Sequence, residues 1–409
     1  MSRVALCVQN LPVPADRRVW REARALRDAG HEVFVIAPRG VDQPPQEVLD
    51  GITVRRWEPA RERGGVAGQV SEALTGLART ARELRALERE HGLEVVHVAN
   101  PPDAYAVLAR ALHREWKVVY DQHDLCPELV DAQRGANSLT ARVLRPVLRA
   151  VERWTYRSAD LVILPNNSYR NIALRRGHVA PAAAVVVRSG PDRVDPAPTP
   201  PGPDHGALEV VFAGMMNVQD RVDVLLRAIA EVATHRPGCI ELTLVGTGDD
   251  IPRLRALADD LGIADLVRWT GWLYADELRA ELHRAGIGVS LDDDTPFSRL
   301  STMTKIAEYL AVGLPCLVAD LPENRVTAGD AARYFTPADA HDLAAAFLSL
   351  LDDPVAIDAM RAAALARAPA LVWERSARRL VAAYEWLLDH GPAVAGEQHI
   401  DVAEVGAAA

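Results

Sequence analysis

Residues 295–318, TPFSRLSTMTKIAEYLAVGLPCLV, gather in one stretch the residue types that can hold an anion. Ser301 or Thr302 is placed to cap a helix, Ile306, Tyr309 and Leu310 recur at helical spacing, and Gly313 and Pro315 stop it before a β-branched apolar run. The first turn of such a helix carries unpaired backbone N–H groups and the positive end of the macrodipole, so a phosphate bound there needs little else. Lys305 falls in that turn. Only one other lysine, Lys117, occurs in the chain, and every other strong base is arginine. An ammonium on a flexible stem follows a moving phosphoryl oxygen in a way that a rigid guanidinium fork does not. Glu308 lies three residues on, nearly on the same face. The bland reading of the two is an i,i+3 ion pair on a solvated helix, which contributes only ~0.2–0.5 kcal/mol.

Other residues carry weaker signals. Asp292, Asp293 and Asp294 look like an Asp-x-Asp metal signature, and carboxylates do suit hard cations. Their place just before the phosphate-type helix speaks for a solvated loop, or for Asp292 hydrogen-bonding sugar hydroxyls. The GTG of residues 246–248 lacks a full G-x-G-x-x-G, which argues against a dinucleotide site. His97 reads as a strand residue with a capping role. His123, crowded in DQHD, reads as functional. Arg142, Arg145, Arg149, Arg153 and Arg157 form a stripe opposite Val143, Leu144, Val147, Leu148 and Val151. The apolar side is expected against the core, and the basic side either faces solvent or docks on anionic lipid.

The elements that must position these residues alternate. Strand-like VALCV, EVFVIA, ITVRRW, VVHVA, KVVYD, LVILP and AVVVR are separated by helical patterns near 18–29, 68–91, after Pro102 and at 138–157. Strands divided by helices imply parallel βαβ units covered on both faces. Six prolines between Pro191 and Pro203 interrupt the rhythm and read as a stiff connector over 191–206. The pattern then restarts with LEVVFAG, IELTLVG, VRWTG, IGVSL and CLVAD. Two doubly wound α/β domains in series are expected, 1–190 and 207–372, with a ligand site in the cleft between them. Residues 391–409, small and irregular, read as a disordered tail.

Composition fits a globular chain of 409 residues, 49% apolar and 25% charged, large enough for two cores. A net charge of −10 argues against a nucleic-acid partner. Four scattered cysteines without metal-like spacing suit a reducing compartment. No apolar leader opens the sequence and no run of eighteen apolar residues occurs. The expectation is a cytoplasmic protein, with peripheral contact at the inner membrane face as the further option.

Several of these segments, in order, resemble glycosyltransferase family 4 of the GT-B fold: DRRVWREARALRDAGHEV, HVANPPDAYAVLA, VVYDQHDLCPE, VVVRSGPD, FAGMMNVQDRVDVLLRAI, LTLVGTGDD, STMTKIAEYLAVGLP and DLPENR. They are similar to the branch that moves amino or deoxy sugars in polysaccharide and secondary-metabolite assembly. The resemblance implies two Rossmann-like parallel-sheet domains facing a cleft, with a final helix, 373–390, that returns to the first domain. It implies a nucleotide-sugar donor held by the second domain, a hydroxyl acceptor (glycan, lipid-linked or small molecule) on the first, transfer with retention, no metal and no cofactor. Carried over by position, Glu308 would hold the ribose. Lys305 with Ser301, Thr302 and Thr304 would meet the diphosphate. Gly214, Gly246 and Gly248 would line the donor turns and Asp292 the sugar. His123 would lie near the transferring sugar, with Arg18, Asn100 and Asp124 on the acceptor side.

Three departures stand out. Leu300 replaces the first glutamate of the family's E-x7-E motif, Met215 and Asp220 stand where an arginine and a lysine commonly clamp the diphosphate, and Asn100 replaces an aspartate. The branch marked by Q-D-x-V-D and S-T-M-T-K departs similarly. A nucleotide-sugar epimerase and a non-catalytic nucleotide-sugar-binding relative are the alternatives.

Overall fold

The computed structural model describes residues 1–59, 65–135, 138–197 and 206–390. Its contacts divide the chain into two units, Met1–Ser189 with the C-terminal residues from Arg375 on, and Gly190–Glu374.

The first unit is built on a sheet of eight strands: β1 Arg3–Cys7, β2 Glu32–Pro38, β3 Gln46–Leu49, β4 Ile52–Trp57, β5 Val95–Ala99, β6 Lys117–Asp121, β7 Leu161–Leu164 and β8 Ala184–Val186, in the order β3-β4-β2-β1-β5-β6-β7-β8. All neighbours pair in parallel except β3, which runs antiparallel to β4. The central strands are buried along their length, as expected when helices cover both faces. The helix Arg17–Asp28 starts at Asp16, whose carboxylate accepts from Val19 N at 3.1 Å, and turns Val19, Glu22, Ala23 and Leu26 inward. Glu22 is thus a carboxyl group at a core position, and the unit must satisfy it. The helix Trp373–His390 buries Leu380, Ala383, Tyr384 and Leu387. Its C-terminal carbonyls at Leu387 and Leu388 accept from Lys117 Nζ, a cation at the negative end of the macrodipole.

The second unit holds six parallel strands: β9 Leu208–Ala213, β10 Ile240–Val245, β11 Val267–Gly271, β12 Ile287–Ser290, β13 Cys316–Ala319 and β14 Ala332–Phe335, in the order β11-β10-β9-β12-β13-β14. Its core falls into two apolar clusters, one including Phe212, Leu225, Ile229, Leu244, Val289 and Phe347 and the other Val211, Ile306, Tyr309, Leu310 and Val318.

Three expectations change. Residues 191–197 of the proline-rich stretch do not stand free: Asp195 N and Ala197 N donate to Ala311 O and Val312 O at 2.8 and 2.9 Å, so extended backbone without partners of its own borrows them from a helix end. Residues 198–205, like the tail 391–409, lie outside the described residues. The helix predicted at 138–157 spans Leu139–Ser158, but Val143 and Val147 face solvent rather than the core. The inward positions are Ala141, Glu152, Thr155 and Tyr156, because Glu152 is paired with Arg176 at 2.6 Å and can be buried there. Elements not foreseen include the edge strands β3 and β14 and the helices Cys126–Arg134, Asn167–Ile172 and Pro322–Ala328.

Candidate functional site

In the second sheet β9 lies beside β12, with β10 on one flank and β13 on the other. At such a reversal of strand order the loops following the two strands part and leave a crevice at their carboxyl ends. Gly214 directly follows β9, Asp292 lies just past β12, and Gly246 directly follows β10. The loops after β9 and β10 are zipped together: Gly214 N donates to Val245 O at 2.9 Å, Met216 N to Thr247 O at 2.8 Å, and Asp250 N to Met216 O at 3.1 Å. A Cβ on Gly246 would stand 1.9 Å from Gly214 O, and one on Gly248 would stand 2.2 Å from Met216 O. These glycines therefore let two backbones meet.

The helix after β12 spans Thr304–Ala311 and is bolted to the same strand ends by Tyr309. Its buried hydroxyl accepts from Ala213 N at 2.9 Å and donates to Val289 O at 3.2 Å. Neither Ser301 nor Thr302 caps this helix. The N-cap is Met303, without a side-chain bond, and Ser301 is drawn back instead, its hydroxyl donating to Phe297 O at 2.9 Å. The N-cap side chain thus supplies no acceptor to the backbone N–H groups at the helix start. Lys305 Nζ lies over the Phe212 ring, 4.3 Å from its centroid, and 3.3 Å from where a Cβ on Gly214 would be. Among the described residues no carboxylate is within ion-pair distance of it. Thr304 is exposed, and Thr302 and Glu308 are half-buried.

The acids nearby are engaged. Asp220 accepts from Asn217 N at 2.9 Å, and burial raises its pKa despite that bond and Lys305. Asp292 accepts from Ser290 Oγ at 3.1 Å, Asp293 pairs with Arg221, and Asp294 accepts from Arg299 Nη2 at 2.7 Å. A run of three aspartates tied to a hydroxyl and two guanidiniums resembles no hard-cation site. Arg221, which sequence reasoning passed over, takes a left-handed backbone with φ 54°.

In the first unit the expected residues meet at the ends of β5 and β6. Asn100 is buried; its amide N donates to Asp103 Oδ1 and Asp124 O, each at 2.7 Å, and its Oδ1 accepts from His123 N at 2.5 Å and Asp124 N at 3.1 Å. It therefore fixes the His123–Asp124 turn. Asp124 is largely buried, which raises its pKa. Arg18, expected on the acceptor side, is turned inward: Nε and Nη2 donate to Asp121 at 3.0 and 2.7 Å, and Nη1 to Val187 O and Ser189 Oγ at 3.0 and 3.1 Å. Its guanidinium is spent on the protein because two buried acids need a cation.

Those acids are Asp121, at the last position of β6, and Glu22. Asp121 also lies 2.5 Å from His123 Nε2, which leaves Nδ1 as the ring nitrogen that Asp121 does not engage. Burial pushes the Asp121 carboxyl up, but Arg18 and then His123 bring it well below its ordinary range. Glu22 is raised well above its ordinary range by burial first and by Asp121 next. It lies 3.2 Å from Arg18 Nε and 3.5 Å from His97 Nε2. His97 is interior to β5, its Nδ1 2.8 Å from Tyr384 OH, and burial lowers its pKa. Glu22, His97 and Asp121 bring three potential metal-ligand atoms within 4.8 Å of one another. Arg18 offsets the ionised Asp121, and burial favours the neutral form of Glu22, so one guanidinium balances the one carboxylate charge of the set.

Two family models match: "Glycosyltransferase Family 4" over residues 15–193 and "Glycosyl transferases group 1" over residues 207–353. Among curated relatives, the phosphatidyl-myo-inositol mannosyltransferase of Mycolicibacterium smegmatis is 27% identical over 395 residues, covering 93% of this chain and 92% of that one. Glycogen synthase of Mycobacterium tuberculosis is 26% identical, covering 90% and 87%. The 2-deoxystreptamine glucosyltransferase of Streptomyces kanamyceticus is 25% identical, covering 83% and 90%. Of solved structures, sucrose-phosphate synthase of Thermosynechococcus elongatus superposes with a TM-score of 0.77 at 18% identity, covering 95% of this chain and 99% of that one. HepE of Anabaena, in complex with UDP-glucose, gives 0.69 at 16% identity, covering 95% and 100%. Two parallel-sheet α/β units with these matches define a glycosyltransferase of the GT-B fold. The chain belongs to glycosyltransferase family 4. Among the described residues no helix is long and apolar enough to cross a membrane.

Proposed function

We propose that this enzyme moves a hexose, or an amino or deoxy sugar, from a nucleotide-diphosphate donor to an acceptor hydroxyl, with retention of anomeric configuration and without a metal. The observation that carries the donor reading is Lys305: an ammonium with no carboxylate in ion-pair distance among the described residues, in the first turn of a helix whose N-cap residue Met303 makes no side-chain bond, at the crevice where the loops after β9 and β12 part. The UDP-glucose bound to HepE supports a nucleotide sugar as the anion.

In this reading Lys305 and the N–H groups at Thr304 and Lys305 take up charge as the bond from anomeric carbon to diphosphate oxygen breaks. Glu308 accepts from the ribose hydroxyls. The acceptor oxygen attacks from the face that the diphosphate leaves. His123, oriented through Nε2 by Asp121, hydrogen-bonds the sugar with the rest of its ring edge. Arg18 and Asn100 act through others, Arg18 by holding Asp121 and Asn100 by holding the turn. Peripheral contact with an anionic membrane is part of the same reading; the Leu139–Ser158 helix carries the residues that would make it.

A thermal-shift panel of UDP, GDP, TDP, CDP and ADP tests the donor site. A ligand at 100 times its dissociation constant adds ~2.7 kcal/mol to native-state stability. A shift with none of the five overturns the assignment. Product analysis with donor alone and with donor plus acceptor separates transfer from epimerisation and from silent binding.

A further inference from the structure

The Leu139–Ser158 helix shows solvent an apolar stripe. Leu139, Val143, Val147 and Trp154 are 77%, 60%, 56% and 60% exposed, and Pro146 and Ala150 between them are exposed too. At 3.6 residues per turn these six fall within about 100° of arc. Arg142, Arg149 and Arg153, all exposed, line one margin of the stripe, and Arg157 stands at its C-terminal end. Among the described residues none of these four arginines forms an ion pair. Arg145, set further round, pairs with Asp131 at 2.7 Å. The only acid on the helix, Glu152, is buried against Arg176. In a chain of net charge −10, one helix thus presents four uncompensated cations and no acid.

A solvated helix keeps its apolar residues inward, and scattered exposed ones need no explanation; a contiguous stripe does. We infer that this face docks on an anionic lipid bilayer, with the helix lying in the interface plane. Val143, Val147 and Trp154 would insert at the acyl boundary while the arginines meet the head groups. Three features choose lipid over a second copy of this chain. The helix offers no exposed acid to complement its cations, as a self-complementary interface would require. They border an apolar strip whose large residues are each more than half exposed, rather than a closed hollow. The large aromatic is tryptophan, with an apolar body and a polar N–H suited to the head-group level. This inference deepens the membrane contact named in the proposed function; it rests on the helix and not on the donor site, so a failed nucleotide panel and a failed flotation are separate outcomes.

The full chain is floated with vesicles of equal parts phosphatidylglycerol and phosphatidylcholine, and with phosphatidylcholine alone. Binding is expected to the anionic vesicles only and to weaken with salt, since charge contacts at a surface fade over a Debye length. Replacing Arg142, Arg149 and Arg153 by glutamate should weaken binding at least ~10²-fold, from roughly fivefold for each lost arginine. Val143→Ser with Val147→Ser and Trp154→Ser should weaken it while leaving the salt dependence in place. Tryptophan emission of the wild type should shift to the blue on vesicle addition by an amount missing in Trp154→Phe. Circular dichroism and thermal melting verify that the variants fold. No flotation with anionic vesicles at low salt overturns the inference, as does equal binding by the glutamate variant. Concentration-dependent self-association that Trp154→Ser abolishes, without vesicle binding, would assign the face to a dimer instead.

Discussion

Replacing Lys305 by alanine separates a ligand-holding role from a structural one, because the two losses differ in size. Within the fold the ammonium's contact is the Phe212 ring at 4.3 Å, and a cation over a ring in a partly exposed site contributes ~0.5–1 kcal/mol. Alanine is at least as good a helix former as lysine, and Ile306, Tyr309 and Leu310 still bury the helix. Stability should therefore fall by no more than ~1 kcal/mol, which in a unit of this size lowers Tm by about 2–4 °C. Turnover should fall ~10²–10³-fold, the scale for removing one preorganised donor to developing charge, or about 2.7–4 kcal/mol. The catalytic loss thus exceeds the stability loss several times over. The assay is nucleotide diphosphate release at saturating donor, run beside thermal melting of the same preparation. Lys305→Arg keeps the charge but must fit a wider head where a Cβ on Gly214 would already be 3.3 Å from Nζ, so it should restore turnover only in part. Turnover within tenfold of wild type, or a lost turnover matched by a collapsed Tm, would refute the reasoning.

Glu308→Leu should weaken a ribonucleotide donor at least ~tenfold and cost measurably less with a 2′-deoxyribose donor, since a charge-assisted bond of ~1.5–3 kcal/mol is absent from the second pair; equal costs would exclude a clamp on both hydroxyls. Glu22→Gln should gain stability over the wild type as pH rises. The folded-state pKa of Glu22 is raised by burial, so its contribution is full below its unfolded value of about 4.3 and is lost as pH climbs toward the folded value; a Tm difference that stays flat from pH 4.5 to 8 sinks this. EDTA should leave turnover largely unchanged, and complete loss restored by Mg²⁺ or Mn²⁺ would return the aspartate run to candidacy as a metal site. Gly246→Ala should cost ~1–3 kcal/mol, because its Cβ meets a backbone carbonyl at 1.9 Å that has no rotamer to escape into; the same Tm as wild type would show that the two loops give way freely.

Much of this architecture is legible in the residues because buried parallel strands read as apolar runs and glycines mark where they stop. The places that misread share one cause: a local pattern does not tell which partner a side chain takes. Ser301 has the right type and spacing for an N-cap, yet its hydroxyl finds Phe297 O first. Val143 and Val147 have the periodicity of a core face, but the sheet takes the neighbouring face, since Glu152 finds Arg176 there. Strand β3, QEVL, has no apolar run at all and exists because β4 offers it an antiparallel edge. Glu22 looks like a surface charge in WREAR and is buried. Only an acid closing the buried strand KVVYD, two residues before His123, hinted at Asp121.

The placement of charge carries the argument one step further. In the first unit Arg18 is held by Asp121 and lies against Glu22, His97 is held by Tyr384, and Asn100 is held by Asp103 and the His123–Asp124 turn, so their polar chemistry is spent on orientation, and Asp121 and Asn100 place His123. In the second unit the acids at the strand ends are likewise engaged, Asp293 by Arg221 and Asp294 by Arg299, but Lys305 is not. Neutralised groups make a rigid frame and take part in little new bonding; a cation kept without its counterion in a folded protein is poised for an anion from outside. That asymmetry, more than the presence of any one family motif, is why the proposed function assigns the phosphate-bearing substrate to the second unit and a neutral hydroxyl-bearing one to the first.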